Sequence, residues 1–224
     1  MDRPVLLEDL HVQAQLYDLL RRAFAYPLTA ETVAAFANLE LSDEDDASPL
    51  AQGISLLRRR LCPHSAAAPT GLPSPAALLE ALNQEHSRLF VGPGPVVVSP
   101  YASVYLSAEG RLFGEETLRV RQAYLAAGVA PTRVGSIPDD HIALELEFLY
   151  FLTHQALLSL QGSDEAACDR YLSLRHAFLK QHLQPWTSAF CADILQGTRE
   201  PFFQGLALIA NGVLAEGLCN VSLG

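Results

Sequence analysis

Five residues have a spacing that could do chemistry. Asp140, Glu147 and His154 recur every seven residues, so on a helix they share one face. His141 and Glu145 stand four apart, one turn along a neighbouring face. A histidine and a carboxylate one turn apart can hold a metal ion between them. HxxxE is not the HExxH of zinc peptidases, however, and no third ligand is indicated, so no metal site is expected. Two other readings stay open. One is helix capping plus a core polar network. The other is a polar corner of Pro138, Asp140 and His141 that faces a groove. The two can coexist.

Other candidate motifs lack a defining part. The Gly92–Pro93–Gly94 turn invites a phosphate-loop reading, but it has neither the GK[ST] ending nor a preceding strand. There is no G-x-S-x-G elbow, and Ser87, Ser99 and Ser103 have no evident base beside them. Cys62, Cys168, Cys191 and Cys219 are far apart and form no CxxC pair. They read as reduced and mostly buried, which suits a cytoplasm. No catalytic residue and no bound cofactor is expected, and the chain is not expected to be an enzyme.

The element that must position these residues runs from Gly135 to Leu160. Ser136 can cap it, Pro138 falls where a missing N–H does no harm, and Asp139 and Asp140 face the positive end of the helix dipole. Beyond Ile142 it is apolar on nearly every side, so it is expected at the centre of a helical domain. Glu145, Glu147 and His154 make it too polar to span a membrane. Around it, helices are predicted over 6–26, 29–39 with Thr29 as cap, 50–61, 76–90, 115–128, 163–183 with Ser163 as cap, 185–195 and 200–218. With the central helix the total is roughly nine, and no strand is convincing.

The stretch VGPGPVVVSPYASVYLSAEGRLFGEE interrupts this series with an ordered Gly/Pro-rich loop. Val96–Val98 and Val104–Leu106 are candidate short extended pieces. Phe90, Tyr101, Tyr105 and Phe113 cluster around the loop, either packing it internally or forming an apolar patch for a peptide. The acidic run LSDEDDASP reads as an exposed loop, and CPHSAAAPTGLPSPAA as a flexible connection. One all-helical domain over 1–224 is expected, with a hinge between two helical halves near 130–136 as a possible subdivision.

The charge balance narrows the partners. A net charge of −10 argues against nucleic acid and against an anionic membrane surface, and it suits a basic partner such as an arginine-bearing peptide. The start, MDRPVLLEDLHVQAQ, is acidic and amphipathic and does not read as a signal peptide.

Five stretches, in order and in register, resemble one family: RLFVGPGPVVVSPYASVYL, RLFGEETLRVRQAYLAAGV, IPDDHIALELEFL, HLQPWTSAF and PFFQGLALIA. The resemblance is to the TorD/DmsD family, cytoplasmic maturation chaperones for molybdenum-containing respiratory reductases, and covers roughly residues 84 to 212. It implies an all-helical, cytoplasmic protein that binds the twin-arginine signal peptide and apoprotein of a molybdoenzyme's catalytic subunit. Such a protein aids molybdopterin insertion and prevents premature export. It implies a monomer or domain-swapped dimer with no stable membrane insertion. The family signature E-P-x-D-H stands here as Ile137-Pro138-Asp139-Asp140-His141. The implied peptide-binding residues are Pro138, Asp140, His141, Gly114, Phe90, Tyr101 and His86. Ile137 replaces the signature glutamate, and His86 and Gly94 stand where a DmsD-like member has tryptophans. The rival reading is a helical regulatory or scaffolding protein that binds a folded partner.

Overall fold

The computed structural model describes residues 3–25, 27–39, 48–62, 74–94, 96–107, 109–110, 112–130 and 137–215. Among these the chain is all-α. In order the helices are α1 (Arg3–Phe24), α2 (Ala30–Ala37), α3 (Pro49–Leu61), α4 (Pro75–His86), α5 (Ala102–Leu106), α6 (Glu115–Ala126), α7 (Ile142–Gln161), α8 (Glu165–Phe178), α9 (Gln184–Gly197) and α10 (Pro201–Ala215). A π turn at Ser87–Val91 prolongs α4, and a second at Leu179–Leu183 joins α8 to α9. The expected helices are all present, and the five-residue α5 is additional.

Local chemistry explains most boundaries. Thr29, Ser48 and Ser74 each accept a hydrogen bond from the backbone N–H three residues on, and proline occupies the first turn of α3, α4 and α9. Two boundaries differ from expectation. Asp164, not Ser163, caps α8, because Ser163 adopts φ 63° in the tight turn after α7. The central helix begins at Ile142, not near Pro138. Its cap is His141, whose Nδ1 accepts from the Ala143 N–H at 3.1 Å. His141 is extended (φ −75°, ψ 134°), and long-range backbone bonds tie its two neighbours, Ala102 N–H to the Asp140 carbonyl at 3.0 Å and Ile142 N–H to that of Pro100 at 2.9 Å. That pairing centres on an isolated antiparallel bridge between Tyr101 and His141. Asp140 therefore lies outside α7, and the seven-residue repeat does not put it on a face with Glu147 and His154.

The short extended pieces are also corrected. Val104–Leu106 belongs to α5, and Val96–Val98 runs as irregular backbone without strand pairing. The acidic run up to Ala47, the Ala/Pro connection over 63–73, Ser136, nearly all of the expected hinge and the chain beyond Ala215 lie outside the described residues.

The core follows from the apolar faces. α7 packs between α1 and α8, as its all-round apolarity requires, with Ile142, Leu146, Leu149 and Leu152 fully buried. α10 packs on α3 and α9. α3 and α10 cross closely: a Cβ added at Gly53 would lie 2.6 Å from the Gly205 carbonyl oxygen, so only glycine fits there. Phe24, Phe36, Trp186, Phe190, Phe202 and Phe203 fill the centre. Cys168 and Cys191 are buried as free thiols and Cys62 is exposed. Among the described residues no helix is long and apolar enough to cross a membrane.

Candidate functional site

The π turn after α4 decides where the site forms. The wider turn carries Phe90 inward, its ring centroid 5.9 Å from Phe24 and 6.1 Å from Phe190, and leaves Val91 outside. The chain then reverses at Gly92 and Gly94, both at positive φ (102° and 104°), a conformation that favours glycine. Val98 N–H returns to the Leu89 carbonyl at 2.9 Å and anchors the loop. The loop thus stands over α1, α7 and α9, and a groove of about 940 Å³ opens beneath it.

The floor is Phe24, His86 and Phe90, and the walls are Val96, Val97, Pro100, Tyr101 and Val104 on one side and Ile137, His141 and Leu144 on the other. Three charged residues join this lining. Arg21 and Glu147 come from α1 and α7, and Asp193 from α9. Val91, Val96, Val97, Leu112 and Ile137 are all exposed, which is unusual for so many large apolar side chains in one place.

Of the seven residues predicted for the site, His86, Phe90, Tyr101 and His141 come together in this groove. Pro138 is buried, and Gly114 caps α6 outside the groove lining. Asp140 lies behind the wall, with 0 % of its surface exposed. Its carboxylate accepts from the Ser103 N–H at 2.8 Å and from the Thr117 hydroxyl at 2.8 Å. In this way it ties α5 and α6 to the start of α7. The expectation that it faces outward from a helix start is overturned, because the extended pairing of 140–142 turns it inward. Asp139 is also buried; Arg121 Nε donates to its carboxylate, and Tyr124 OH donates to its carbonyl at 2.9 Å.

The two groove histidines are neutral near pH 7. Burial pushes His86 down to about 4, and its ring lies edge-on to Phe90 at 5.0 Å. Burial also pushes His141 down to about 4, against the opposing pull of the Asp140 charge. His141 Nδ1 accepts a hydrogen bond, so Nε2 carries the proton in the neutral ring. Glu145, fully buried, has its pKa driven far upward by desolvation and by the neighbouring Asp140 charge, and it is held protonated. Among the described residues neither of its oxygens has a hydrogen-bond partner of normal geometry, although Trp186 lies near enough to lower its pKa somewhat. His141 and Glu145 do not offer a pair of open ligand atoms to one ion. One histidine nitrogen caps α7, and the glutamate is sealed in the core.

Sequence reasoning missed the groove's open carboxylates. The seven-residue spacing and the polarity of Glu147 do not by themselves point to a groove. Asp193 carries a sharper signal: it follows Trp186 and Phe190 at i+7 and i+3, so an acid sits on the apolar stripe of α9 where that stripe emerges.

Fold and groove together define the class: an all-α protein with a wide apolar groove edged by carboxylates. The family model described as nitrate reductase delta subunit matches residues 43–192. The chain belongs to this family, the TorD/DmsD family of the sequence resemblance. It is 32% identical over 137 residues to the Tat proofreading chaperone DmsD of Salmonella paratyphi A, covering 61% of this chain and 60% of that protein. It is 31% identical over 132 residues to the chaperone protein TorD of Vibrio cholerae serotype O1, covering 53% of this chain and 58% of that one. The chain thus matches about 60% of the length of these curated relatives. Both are named as chaperones, not as enzymes. A crystal structure from Archaeoglobus fulgidus, of a protein provisionally named a redox enzyme maturation protein, shares the fold. Its TM-score is 0.53 at 23% identity, covering 89% of this chain and 92% of that one.

Proposed function

We propose that this chain is a cytoplasmic maturation chaperone. It binds the twin-arginine signal peptide and the apoprotein of a molybdopterin-dependent oxidoreductase, aids cofactor insertion and prevents premature export. The observation that carries this reading is the groove: a wide apolar surface, exposed to solvent and bounded by carboxylates, with its two histidines uncharged.

That combination suits one peptide chemistry, a pair of arginines followed by an apolar segment. Each leucine-sized side chain buried in the groove contributes about 1.5–3 kcal/mol before ordering costs. A few such side chains support micromolar affinity, about −8 kcal/mol. The net charge of −10 adds long-range attraction for a cationic peptide. The similarity to a Tat proofreading chaperone, DmsD, and to the chaperone TorD supports the same reading.

The test is titration calorimetry of the full chain with a synthetic peptide carrying two adjacent arginines and an apolar segment. A dissociation constant in the micromolar range or tighter, with a negative heat-capacity change, is expected. Equal binding of a scrambled peptide with the apolar segment broken up would sink the reading.

A further inference from the structure

We infer that Asp193, with Glu147 as its second, receives the arginine guanidinium groups of a bound peptide, and that Asp140 does not. This rests on the peptide-groove reading above and assigns its charged contacts.

A guanidinium needs a carboxylate with a free oxygen open to the groove. Asp140 is fully buried and has both oxygens engaged, by Ser103 and by Thr117. Asp139 is buried and already holds Arg121. Glu145 is sealed among core side chains. Among the described residues, the acids that line the groove are Glu147 and Asp193.

Their settings differ. Asp193 is exposed, and its Oδ2 accepts from the Tyr105 hydroxyl at 3.1 Å. That bond fixes the carboxylate and leaves Oδ1 available. Asp193 has no cationic partner among the described residues. The Tyr105 ring, which also lines the groove, is itself held by Trp186 at 5.4 Å. Glu147 meets a guanidinium already: Arg21 Nη1 is 4.0 Å away, while Arg21 Nη2 holds Asp18 at 2.5 Å. Arg21 also lies 5.3 Å over the Tyr150 ring. It belongs to the Asp18 pair and only brushes Glu147, but its charge disfavours a second cation there. The stronger arginine contact therefore falls to Asp193.

The experiment uses the full chain and two peptides, the arginine-pair peptide and the same peptide with both arginines replaced by glutamine. Asp193→Asn should weaken the arginine peptide roughly three- to tenfold, and Glu147→Gln by about twofold. Neither should alter the glutamine peptide. The Asp193→Asn difference should shrink when ionic strength rises from about 0.05 to about 0.5 M. Asp193→Glu should retain most of the discrimination. Wild-type binding of both peptides with equal affinity overturns this assignment and leaves the groove reading standing. So does unchanged arginine-peptide affinity in the Asp193→Asn, Glu147→Gln double variant. Failure of the wild type to bind either peptide overturns both.

Discussion

Two surfaces meet along the extended pairing of residues 100–102 with 140–142, and they invert the usual distribution of polarity. Behind the pairing, Asp139, Asp140, Thr117 and Ser103 are polar and buried, joined to one another or to Arg121 and Tyr124. In front of it, Val96, Val97 and Ile137 are apolar and exposed. Burying a carboxylate is tolerated only where its hydrogen bonds are replaced, and exposing large apolar groups is tolerated at a binding surface. The polar side thus fixes three helices in register, and the apolar side is left free to make contacts. The difference teaches that the residues of a signature motif can serve the site from behind it. Pro138 and Asp140 hold the wall in place, whereas Ile137 and His141 form part of the wall itself.

The largest expected effect lies on the buried side. Asp140→Ala removes the acceptor for two buried donors, the Ser103 N–H and the Thr117 hydroxyl. Each donor left unsatisfied costs about 1–3 kcal/mol, so a loss of roughly 2–6 kcal/mol is expected in urea unfolding. Asp193→Asn, on the exposed side, should shift stability by less than about 0.5 kcal/mol. A stable Asp140→Ala variant that merely loses peptide affinity would break the comparison, because Asp140 would then act at the surface.

The next effect comes from Glu145, and pH sharpens it. The folded state keeps this acid protonated well above its ordinary range, while the unfolded chain releases the proton. Its burial therefore lowers stability as pH rises above about 4.5. His86 acts in the opposite sense. Its folded pKa of about 4 lies below the unfolded 6.5, so its contribution is present above 6.5 and is lost as pH falls toward 4. At pH 5 that loss is about 2 kcal/mol. His141, also pushed down to about 4, works in the same direction. The two kinds of group offset one another in the wild type. Glu145→Gln should raise stability at pH 7 by about 1–3 kcal/mol. It should also expose the histidine-driven decline between pH 6.5 and 4. Urea melts of both proteins at pH 5 and 7 check this; a variant less stable than wild type at pH 7 would mean that Glu145 has a compensating partner.

A third effect lies on the exposed side. Val97, 46% exposed on the loop wall, has ample room for a polar replacement. Val97→Asp should leave the thermal midpoint nearly unchanged and weaken peptide binding by roughly 1–2 kcal/mol through lost apolar contact. Calorimetry beside a thermal melt separates the two quantities. A large drop in the melt with intact affinity would place Val97 with the core.

The helices were legible because their information is local. The Thr29 cap, the apolar periodicity of α1 and the all-round apolarity of α7 lie within a few turns of chain. The groove's aromatic members were legible too, since Phe90 and Tyr101 flank an obvious Gly/Pro-rich loop. The start of α7 was not. Ser136, Pro138 and Asp139 read as a good local start, but backbone bonds from residues 100–102 override it. The short α5 and the burial of Asp140 depend on the same long-range contact. Asp193 escaped because its neighbours in the groove, Tyr105 and Glu147, are remote in sequence.

The smallest expected effect tests the one position where the signature motif departs from its pattern. Ile137 occupies the place of the signature glutamate, is 43% exposed and lines the groove. Two terms oppose each other in Ile137→Glu. Loss of a half-exposed apolar side chain removes part of the about 1.5–3 kcal/mol that full burial of an isoleucine would provide. A new exposed carboxylate adds about 0.2–1 kcal/mol toward an arginine and is screened by salt. The net change in affinity for the arginine-pair peptide should therefore be under about 1 kcal/mol, and its sign should depend on ionic strength. At low salt the variant should match or exceed the wild type; at high salt it should fall below it. The glutamine peptide, which has no charge to meet the new acid, should bind the variant more weakly at every salt concentration. An affinity gain shared by both peptides would show that residue 137 acts through the shape of the wall, not through charge. It would also move Ile137 to the side of the comparison that Asp140 occupies.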